Sequence, residues 1–128
     1  MTIAITCTAV LGLLLFGLGL NVSITRRRHA KGIGHDTEPT DPVHRAVRAH
    51  GNTAEYAPFL AVLFLWYAAH GAPAWINAVI LIATAARVLI VAGLLWGGPL
   101  NRANPLRAIG ALFTYICGFV LAAALVVL

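Results

Sequence analysis

An uncharged apolar run from Thr2 to Ile24 is the feature that most constrains the fold of this chain. A bilayer core requires roughly 20 consecutive apolar residues in a helix, and this run is long enough. The three residues Arg26–Arg28 follow it, and no positive charge precedes it. A signal peptide has its positive charge before the apolar stretch and a small-residue cleavage site after it. The run therefore predicts a membrane anchor whose start lies on the non-cytoplasmic side.

The rest of the chain is also poor in charged residues. Of its 128 residues, 60% are hydrophobic and 10% are charged, whereas soluble domains have about 25% charged residues. Because so few charged residues cannot cover a water-exposed surface, most of the exterior must face lipid. The net charge of +5 comes from basic residues in the connections between apolar runs. Their placement indicates membrane topology rather than nucleic-acid binding.

Turn and cap signals divide the chain into four predicted transmembrane helices within a single domain, residues 1–128. Their approximate bounds are 2–25, 43–70, 74–96 and 106–127. Asp41 and Pro42 have the pattern of an N-cap followed by proline in the first turn. The stretch from His70 to Pro73 is typical of a tight turn between antiparallel helices. The predicted fold class is all-α, an integral membrane four-helix bundle.

Basic residues lie almost entirely on one side of this arrangement. The eight residues on that side are Arg26, Arg27, Arg28, Lys31, Arg45, Arg48, Arg102 and Arg107. The opposite side has none, and Arg87 lies within a predicted span. Because short loops rich in Lys and Arg stay in the cytoplasm, both termini are expected on the non-cytoplasmic side. The short chain, without a eukaryotic targeting signal, favours a bacterial inner membrane.

Polar side chains form a stripe along the predicted second helix. At 100° per residue they fall within an arc of about 100°. The stripe consists of Arg45, Arg48, Asn52, Glu55, Tyr56 and Phe59. Two guanidinium groups on one stripe suit carboxylates, which favours a cytoplasm-facing cleft for an anionic ligand. The alternative is an interfacial face whose long side chains reach toward the head groups.

Arg87 lies near the middle of the predicted third helix, where an arginine costs about 2.5–3.5 kcal/mol on insertion scales. At 1.5 Å per residue, Glu55 lies about 18 Å from the start of its helix and Arg87 about 15 Å from the end of its own. The similar depths predict a Glu55–Arg87 ion pair, within one subunit or between subunits. A purely structural network that fixes helix register is the alternative role.

Histidine and cysteine form no metal-ligand pattern in the sequence. His29, His35 and His44 lie in the first connection or at a helix start, without paired spacing. No metal site is therefore predicted. Cys7 and Cys117 lie within apolar runs and are predicted to be small buried side chains.

The stripe and Arg87 together resemble the MAPEG superfamily, the membrane-associated proteins of eicosanoid and glutathione metabolism. The motif is Arg45-x-x-Arg48-Ala-His50-x-Asn52-x-x-Glu55-Tyr56-x-Pro58, followed by Arg87. The resemblance covers nearly the whole chain and is closest to short bacterial members. It implies a homotrimer of four-helix subunits, with glutathione as co-substrate in a cleft between adjacent subunits.

The resemblance also implies roles for individual residues. Glutathione contacts are implied for Arg45, Arg48, Asn52, Glu55, Tyr56 and Arg87. Arg107, five residues after Arg102, is implied to stabilise the glutathione thiolate, since an adjacent cation lowers a thiol pKa from about 8.5. Eicosanoid-forming members have aromatic or histidine residues where this chain has Ile90 and Leu94, so a less polar cleft is expected.

Two functions of different classes are open to such a protein. One is a glutathione transferase or peroxidase acting on a small lipophilic molecule from the bilayer. The other is a non-catalytic membrane protein whose cleft binds a lipid head group or a protein partner. A transporter is a weaker third, because four unbroken spans provide little pathway. Other copies of the chain, membrane lipid and a lipophilic small molecule are the expected partners, and nucleic acid is not.

Overall fold

The structure is a computed structural model that describes residues 2–128, and these residues form four α-helices. The helices are α1 (Thr2–Arg28), α2 (Pro42–His70), α3 (Ala74–Trp96) and α4 (Pro105–Val127). Helices α2 to α4 begin and end within one residue of the predicted bounds. Helix α1 continues three residues further than predicted, through Arg28, since arginine is a good helix former and cations suit a helix C-terminus.

Local capping explains where α2 begins and ends. The Asp41 carboxylate accepts a hydrogen bond from the His44 backbone N–H at 2.7 Å, and Pro42 occupies the first helical position. Both are favourable at a helix start. At the other end Gly71 adopts the left-handed conformation with φ 81°, which glycine tolerates without steric cost. The chain therefore reverses within residues 71–73 and enters α3 directly.

Helix α3 is the central element, because it packs against each of the other three helices. The two closest pairs are α1 with α2 and α3 with α4, whereas α2 barely touches α4. Glycine permits the α3–α4 approach: a Cβ at Gly110 would lie 2.5 Å from Ile90 Cγ1 and 2.8 Å from the Ala86 carbonyl oxygen. The gap between α2 and α4 is the space in which the candidate site lies.

The apolar core has two parts at different depths. The larger part, toward the α2–α3 turn, includes Phe64, Ile80 and Leu121. The smaller part, toward the basic end of the bundle, includes Leu18 and Ile90. Polar side chains and a cavity occupy the rest of that end, which is why its apolar core is small.

Two connections meet at the basic end. The Leu100 backbone N–H donates to the Pro39 carbonyl oxygen at 3.0 Å, joining the α3–α4 connection to the α1–α2 connection. Within the latter, Lys31 and Asp36 form an exposed ion pair. Their hydrogen bond raises the pKa of Lys31 and lowers that of Asp36. Because the pair is exposed, it contributes little to stability.

The outer surface of the bundle is apolar. Leu13 and Phe16 of α1 are 76% and 78% exposed, and Phe119 of α4 is 77% exposed. Helices α1, α3 and α4 are long and apolar enough to span a membrane. Helix α2 does not meet that criterion, because its first half carries the polar stripe. The all-α class and the membrane-spanning character are confirmed, while a fourth crossing by α2 stays a prediction.

Candidate functional site

A cavity of about 830 Å³ opens between α2, the end of α3 and the start of α4. We call it the main cavity. Its lining residues are His44, Arg48, Asn52, Ile90, Leu94, Leu100, Arg102, Ala103, Asn104, Pro105, Arg107, Ala108 and Ala111. Three of them are arginines and none is acidic. The cavity therefore carries a positive potential that attracts anions.

Asn104 fixes the start of α4 at the mouth of the main cavity. Its Oδ1 accepts hydrogen bonds from the backbone N–H groups of Leu106 at 2.9 Å and Arg107 at 3.3 Å. Its Nδ2 donates to the Gly97 carbonyl oxygen at 2.8 Å. One side chain thus caps α4 and joins it to the end of α3, which sets where Arg107 leaves the helix.

Arg107 is held by backbone carbonyls rather than by a carboxylate. Its Nη1 donates to the Leu100 carbonyl oxygen at 2.9 Å and to the Arg102 carbonyl oxygen at 3.3 Å. These contacts orient the guanidinium group without neutralising it. The charge of Arg107 is therefore available to an anion in the cavity.

Arg48 and Asn52 bring the polar stripe of α2 into the same cavity. Arg48 is exposed, and Asn52, four residues further along α2, is half-buried. Since residues four apart lie on one helix face, both side chains are directed toward the gap beside α4. Two predicted ligand-contacting residues and the predicted thiolate-stabilising Arg107 thus line a single space.

Arg87 is fully buried and has a different partner from the one predicted within the chain. Its Nη2 donates to the Asn52 carbonyl oxygen at 3.0 Å and to Asn52 Oδ1 at 2.5 Å. The Arg87 Cζ atom also lies 5.0 Å from the centroid of the Tyr56 ring, within the range of a cation–π interaction.

The predicted Glu55–Arg87 ion pair is absent within the chain. Glu55 is exposed, and the one ion pair formed among residues 2–128 joins Lys31 to Asp36. The similar depth of Glu55 and Arg87 does not determine which face of α2 is directed toward α3. Asn52, rather than Glu55, lies on that face. The version of the pair that joins two subunits stays a prediction. Within residues 2–128, Arg87 Nε and Nη1 have no hydrogen-bond partner.

Two phenols lie one helical turn beyond residues of the main cavity and do not themselves line it. Tyr56 is one turn beyond Asn52 on α2, and Tyr115 is one turn beyond Ala111 on α4. Their hydroxyl oxygens are 3.2 Å apart and their ring centroids 5.8 Å apart. Tyr115 was not predicted from the sequence. The available signal was a polar aromatic residue within apolar α4, on the face that carries Ala108 and Ala111.

Arg45 lies apart from the main cavity. It lines a second cavity of about 230 Å³ between α1, α2 and the end of α3, and its Nη1 donates to the Leu95 carbonyl oxygen at 3.5 Å. Helix α2 therefore directs Arg45 toward α1 and α3 and Arg48 toward α4. The predicted arc was wide enough to include both, but the packing of α3 against α2 separates them.

Neither histidine nor cysteine forms a metal site in the part of the chain that is described. No three His, Cys, Asp or Glu side chains among residues 2–128 are placed to hold a metal ion. Cys7 and Cys117 are free and buried, so their predicted role as small buried side chains is confirmed. His44 lines the main cavity and stacks on His35, with ring centroids 4.8 Å apart.

The architecture defines a class of protein: a small helical membrane protein with a cationic cavity at one end. The MAPEG family model matches residues 4–127, nearly the whole chain. The chain therefore belongs to the MAPEG family, which confirms the resemblance seen in the sequence. No curated protein and no solved structure matches the chain significantly.

Proposed function

We propose that the chain binds glutathione in the main cavity and activates its thiol for reaction with a lipophilic molecule. The observation that carries the proposal is the convergence of Arg48, Asn52 and Arg107, from two helices, on one space without acidic residues. Glutathione has two carboxylates, for which guanidinium groups are the favoured partners. Its amide groups match the side chain of Asn52 in hydrogen-bonding capacity.

Arg107 is proposed as the residue that stabilises the thiolate. A cation beside a thiol lowers its pKa and raises the fraction of thiolate at neutral pH. In a transferase reaction the thiolate forms a C–S bond to an electrophilic carbon, and the leaving group departs with the bonding electron pair. The thiol proton passes to water. In a peroxidase reaction the thiolate attacks the terminal oxygen of a hydroperoxide, so that an S–O bond forms, the O–O bond breaks and the alkoxide leaves and takes up a proton. A second glutathione then attacks the resulting sulfenic acid, which gives glutathione disulfide and water.

We propose that Glu55, Tyr56 and Arg87 contribute to the site from positions beyond the main cavity, since none of them is among its lining residues. Arg87 holds Asn52 in place through two hydrogen bonds, so its proposed contribution is to position that side chain. Tyr56 lies beside the cavity, within hydrogen-bond distance of Tyr115. Arg45 is left out of the proposed glutathione site because it lines the second cavity.

We also propose that the functional unit is a homotrimer in which a neighbouring subunit closes the open side of the main cavity, so that the glutathione cleft lies between adjacent subunits. Glu55 is exposed on a membrane helix without an ion-pair partner in the described chain, and Arg48 and Arg102 are exposed beside the main cavity. Packing against another copy would bury such groups beside polar partners, which membrane proteins favour. Native mass spectrometry from mild detergent tests this proposal, and a persistent monomer or dimer would contradict it.

The proposed topology has four spans, with the main cavity open to the cytoplasm and both termini on the other side of a bacterial inner membrane. It is supported by the eight basic residues at one end of the bundle, because short loops rich in Lys and Arg stay in the cytoplasm. A reporter that is active only in the cytoplasm should give no signal when fused after Leu128. A bright fusion would reverse the orientation.

Thermal unfolding in detergent, with and without glutathione, tests the binding proposal directly. A ligand that binds only the native state stabilises it by about 2.7 kcal/mol at 100 times its Kd. Wild type should therefore melt at a rising temperature as glutathione is added, and Arg48→Gln should need higher concentrations. S-methylglutathione serves as the matched ligand, because it keeps both carboxylates but cannot form a thiolate.

The apolar cavity wall favours the non-catalytic alternative as the second candidate. Ile90 and Leu94 line the main cavity directly, so α3 provides no hydrogen-bonding side chain there. If wild type is stabilised equally by glutathione and S-methylglutathione and turns over neither an aryl halide nor a hydroperoxide, the cavity is a binding site only. A melting temperature unaffected by either ligand would contradict glutathione binding altogether.

A further inference from the structure

The second cavity lies at the level where the membrane helices reach the basic end of the bundle. It is formed where α1 ends, α2 begins and α3 ends, and its lining residues are Asn21, Thr25, Thr40, Pro42, Arg45, Ala46, Leu95 and Trp96. Trp96 is 78% exposed at the last position of α3. Tryptophan at a helix end is typical of the interface between hydrocarbon and head groups. The cavity therefore opens at head-group depth.

The lining of this cavity includes one cation, Arg45, and no carboxylate. Arg45 is half-buried and forms no ion pair among residues 2–128. Its Nη1 has only the distant Leu95 carbonyl at 3.5 Å, and its Nε has no hydrogen-bond partner. The nearby Asp41 carboxylate already caps α2. A cation that is half-buried without a counterion favours an anion from outside the chain.

The charge balance at this end also favours an anion. Eight of the nine basic residues lie here with three of the four acidic ones, Asp36, Glu38 and Asp41. The end therefore carries the whole net charge of +5. Such clusters beside membrane helices attract anionic lipids.

An apolar surface adjoins the polar lining along α1. Leu20 and Ile24, which are 62% and 41% exposed, neighbour Asn21 and Thr25 on the helix. Phe16 continues this exposed surface one turn deeper. A polar cavity bordered by apolar surface matches an amphiphile, with its head in the cavity and its chains along the helix. Free phosphate would use only the cavity.

We propose that the second cavity binds the phosphate group of an anionic phospholipid. Arg45 pairs with the phosphate through charge-assisted hydrogen bonds, and the Thr25 hydroxyl and Asn21 amide donate to the remaining oxygens. The acyl chains lie along Leu20 and Ile24. The site is separate from the main cavity, so the proposal requires the membrane location of the chain but not glutathione binding.

Native mass spectrometry with added lipid tests the proposal. Delipidated protein in mild detergent is titrated with phosphatidylglycerol, which is anionic, and with phosphatidylcholine, which has no net charge. Wild type should bind phosphatidylglycerol at least about tenfold more tightly, the size expected of hydrogen bonds to a charged group. Arg45→Gln should lose this preference. Arg28→Gln, which removes an exposed charge at the same end, should change the affinity by no more than about twofold.

A second variant keeps the test independent of any folding defect in Arg45→Gln. Thr25→Val retains every charge and should weaken phosphatidylglycerol binding several-fold, whether or not the protein binds glutathione. Equal losses in Arg45→Gln and Arg28→Gln would overturn the site in favour of diffuse electrostatic attraction. Displacement of the lipid by millimolar inorganic phosphate would overturn the assignment to a phospholipid. Wild type that shows no preference for phosphatidylglycerol would overturn the proposal entirely.

Discussion

The two sides of α3 differ sharply at one depth in the bundle. Toward α4, Gly110 lies against Ala86 and Ile90 so closely that an added Cβ would overlap both. Toward α2, the next residue, Arg87, is fully buried and hydrogen-bonded to Asn52. The packing of α3 against α4 therefore depends on steric fit, and its packing against α2 at this depth depends on polar interactions.

This difference explains how the position of a buried cation is specified. The tight contact with α4 fixes the rotation of α3 about its own axis, since the Ala86 carbonyl oxygen, the Ile90 backbone nitrogen and Ile90 Cγ1 all lie against the glycine. The Arg87 side chain is then directed to α2, where Asn52 accepts from it. The close packing of α3 against α4 therefore orients the face of α3 that carries Arg87. The adjacent gap between α2 and α4 remains open and forms the main cavity.

The largest effect is expected from Asn52→Leu, which removes the hydrogen-bond acceptors of the Asn52 side chain from Arg87. The hydrogen bond from Arg87 to the Asn52 backbone carbonyl remains, and the loss of one hydrogen bond to a charged group typically costs about 1.5–3 kcal/mol. Reversible unfolding in detergent mixtures would measure this loss of stability. Glu55→Gln is the control, because Glu55 is exposed and unpaired in the described chain. A comparable loss in Glu55→Gln would instead show that this carboxylate has a partner in the assembled protein.

Gly110→Ala should be the next most damaging change, because its new methyl group meets the backbone of α3 at Ala86 and Ile90. Overpacking of this kind costs about 1–3 kcal/mol. The matched control is Gly118→Ala on the same helix, where a Cβ would have no neighbour within 4 Å. That variant should gain up to about 1 kcal/mol from helix propensity. Equal effects at both positions would show that the α3–α4 contact is not close.

If the main cavity activates glutathione as proposed, Arg107→Gln should slow turnover while leaving the bundle intact, because the proposed role of this residue rests on its charge. A rise of one unit in the pKa of bound glutathione lowers the thiolate fraction about tenfold at a pH well below that pKa. Turnover of an aryl halide should fall by about that factor at neutral pH. It should recover partly as the pH is raised, because more thiol then ionises.

The control for Arg107→Gln is Arg28→Gln, which removes an exposed charge at the end of α1. Its pH profile should match that of wild type. Thiolate absorbance of the glutathione complex provides a second measurement, independent of turnover. An unchanged thiol pKa in Arg107→Gln would show that Arg107 does not activate the thiol.

The smallest effect is expected for the phenol pair that bridges α2 and α4. Hydrogen bonds between membrane helices contribute on average about 0.6 kcal/mol. Tyr56→Phe and Tyr115→Phe should each cost about that much, and the double variant should cost less than their sum. A double-mutant cycle on unfolding free energies measures the coupling. Full additivity would mean that the two hydroxyl groups do not interact.

The helices could be predicted closely from the sequence because apolar runs and caps are local signals. Asp41-Pro42 and the turn before α3 depend on neighbouring residues alone. The end of α1 was harder to predict, since the three arginines suit a helix C-terminus and a loop equally well. The polar stripe on α2 could also be predicted, because helical periodicity is a local signal. The helix that each residue of the stripe faces could not be predicted, because it depends on tertiary packing.

Three features of the site depend on tertiary packing and so were missed or only partly predicted. Arg45 and Arg48 share one stripe but line different cavities, because α3 packs between them. Arg87 was recognised as requiring compensation, but its partner depends on the rotation of α3. Tyr115 has no spacing relation to Tyr56 along the chain, and the two meet only because α4 lies across the gap from α2.

The short turn after α2 has a consequence for how the chain enters the membrane during synthesis. Helix α2 does not meet the length and apolarity criterion for a membrane span, whereas α3 does, and only residues 71–73 separate the two helices. If α2 entered the lipid without α3, its polar first half would expose Arg48 and Asn52 to lipid, at a high cost in free energy. We therefore expect α2 and α3 to insert into the membrane together, as a helical hairpin. The bond between Arg87 and Asn52 would then form inside that hairpin, before either group meets lipid.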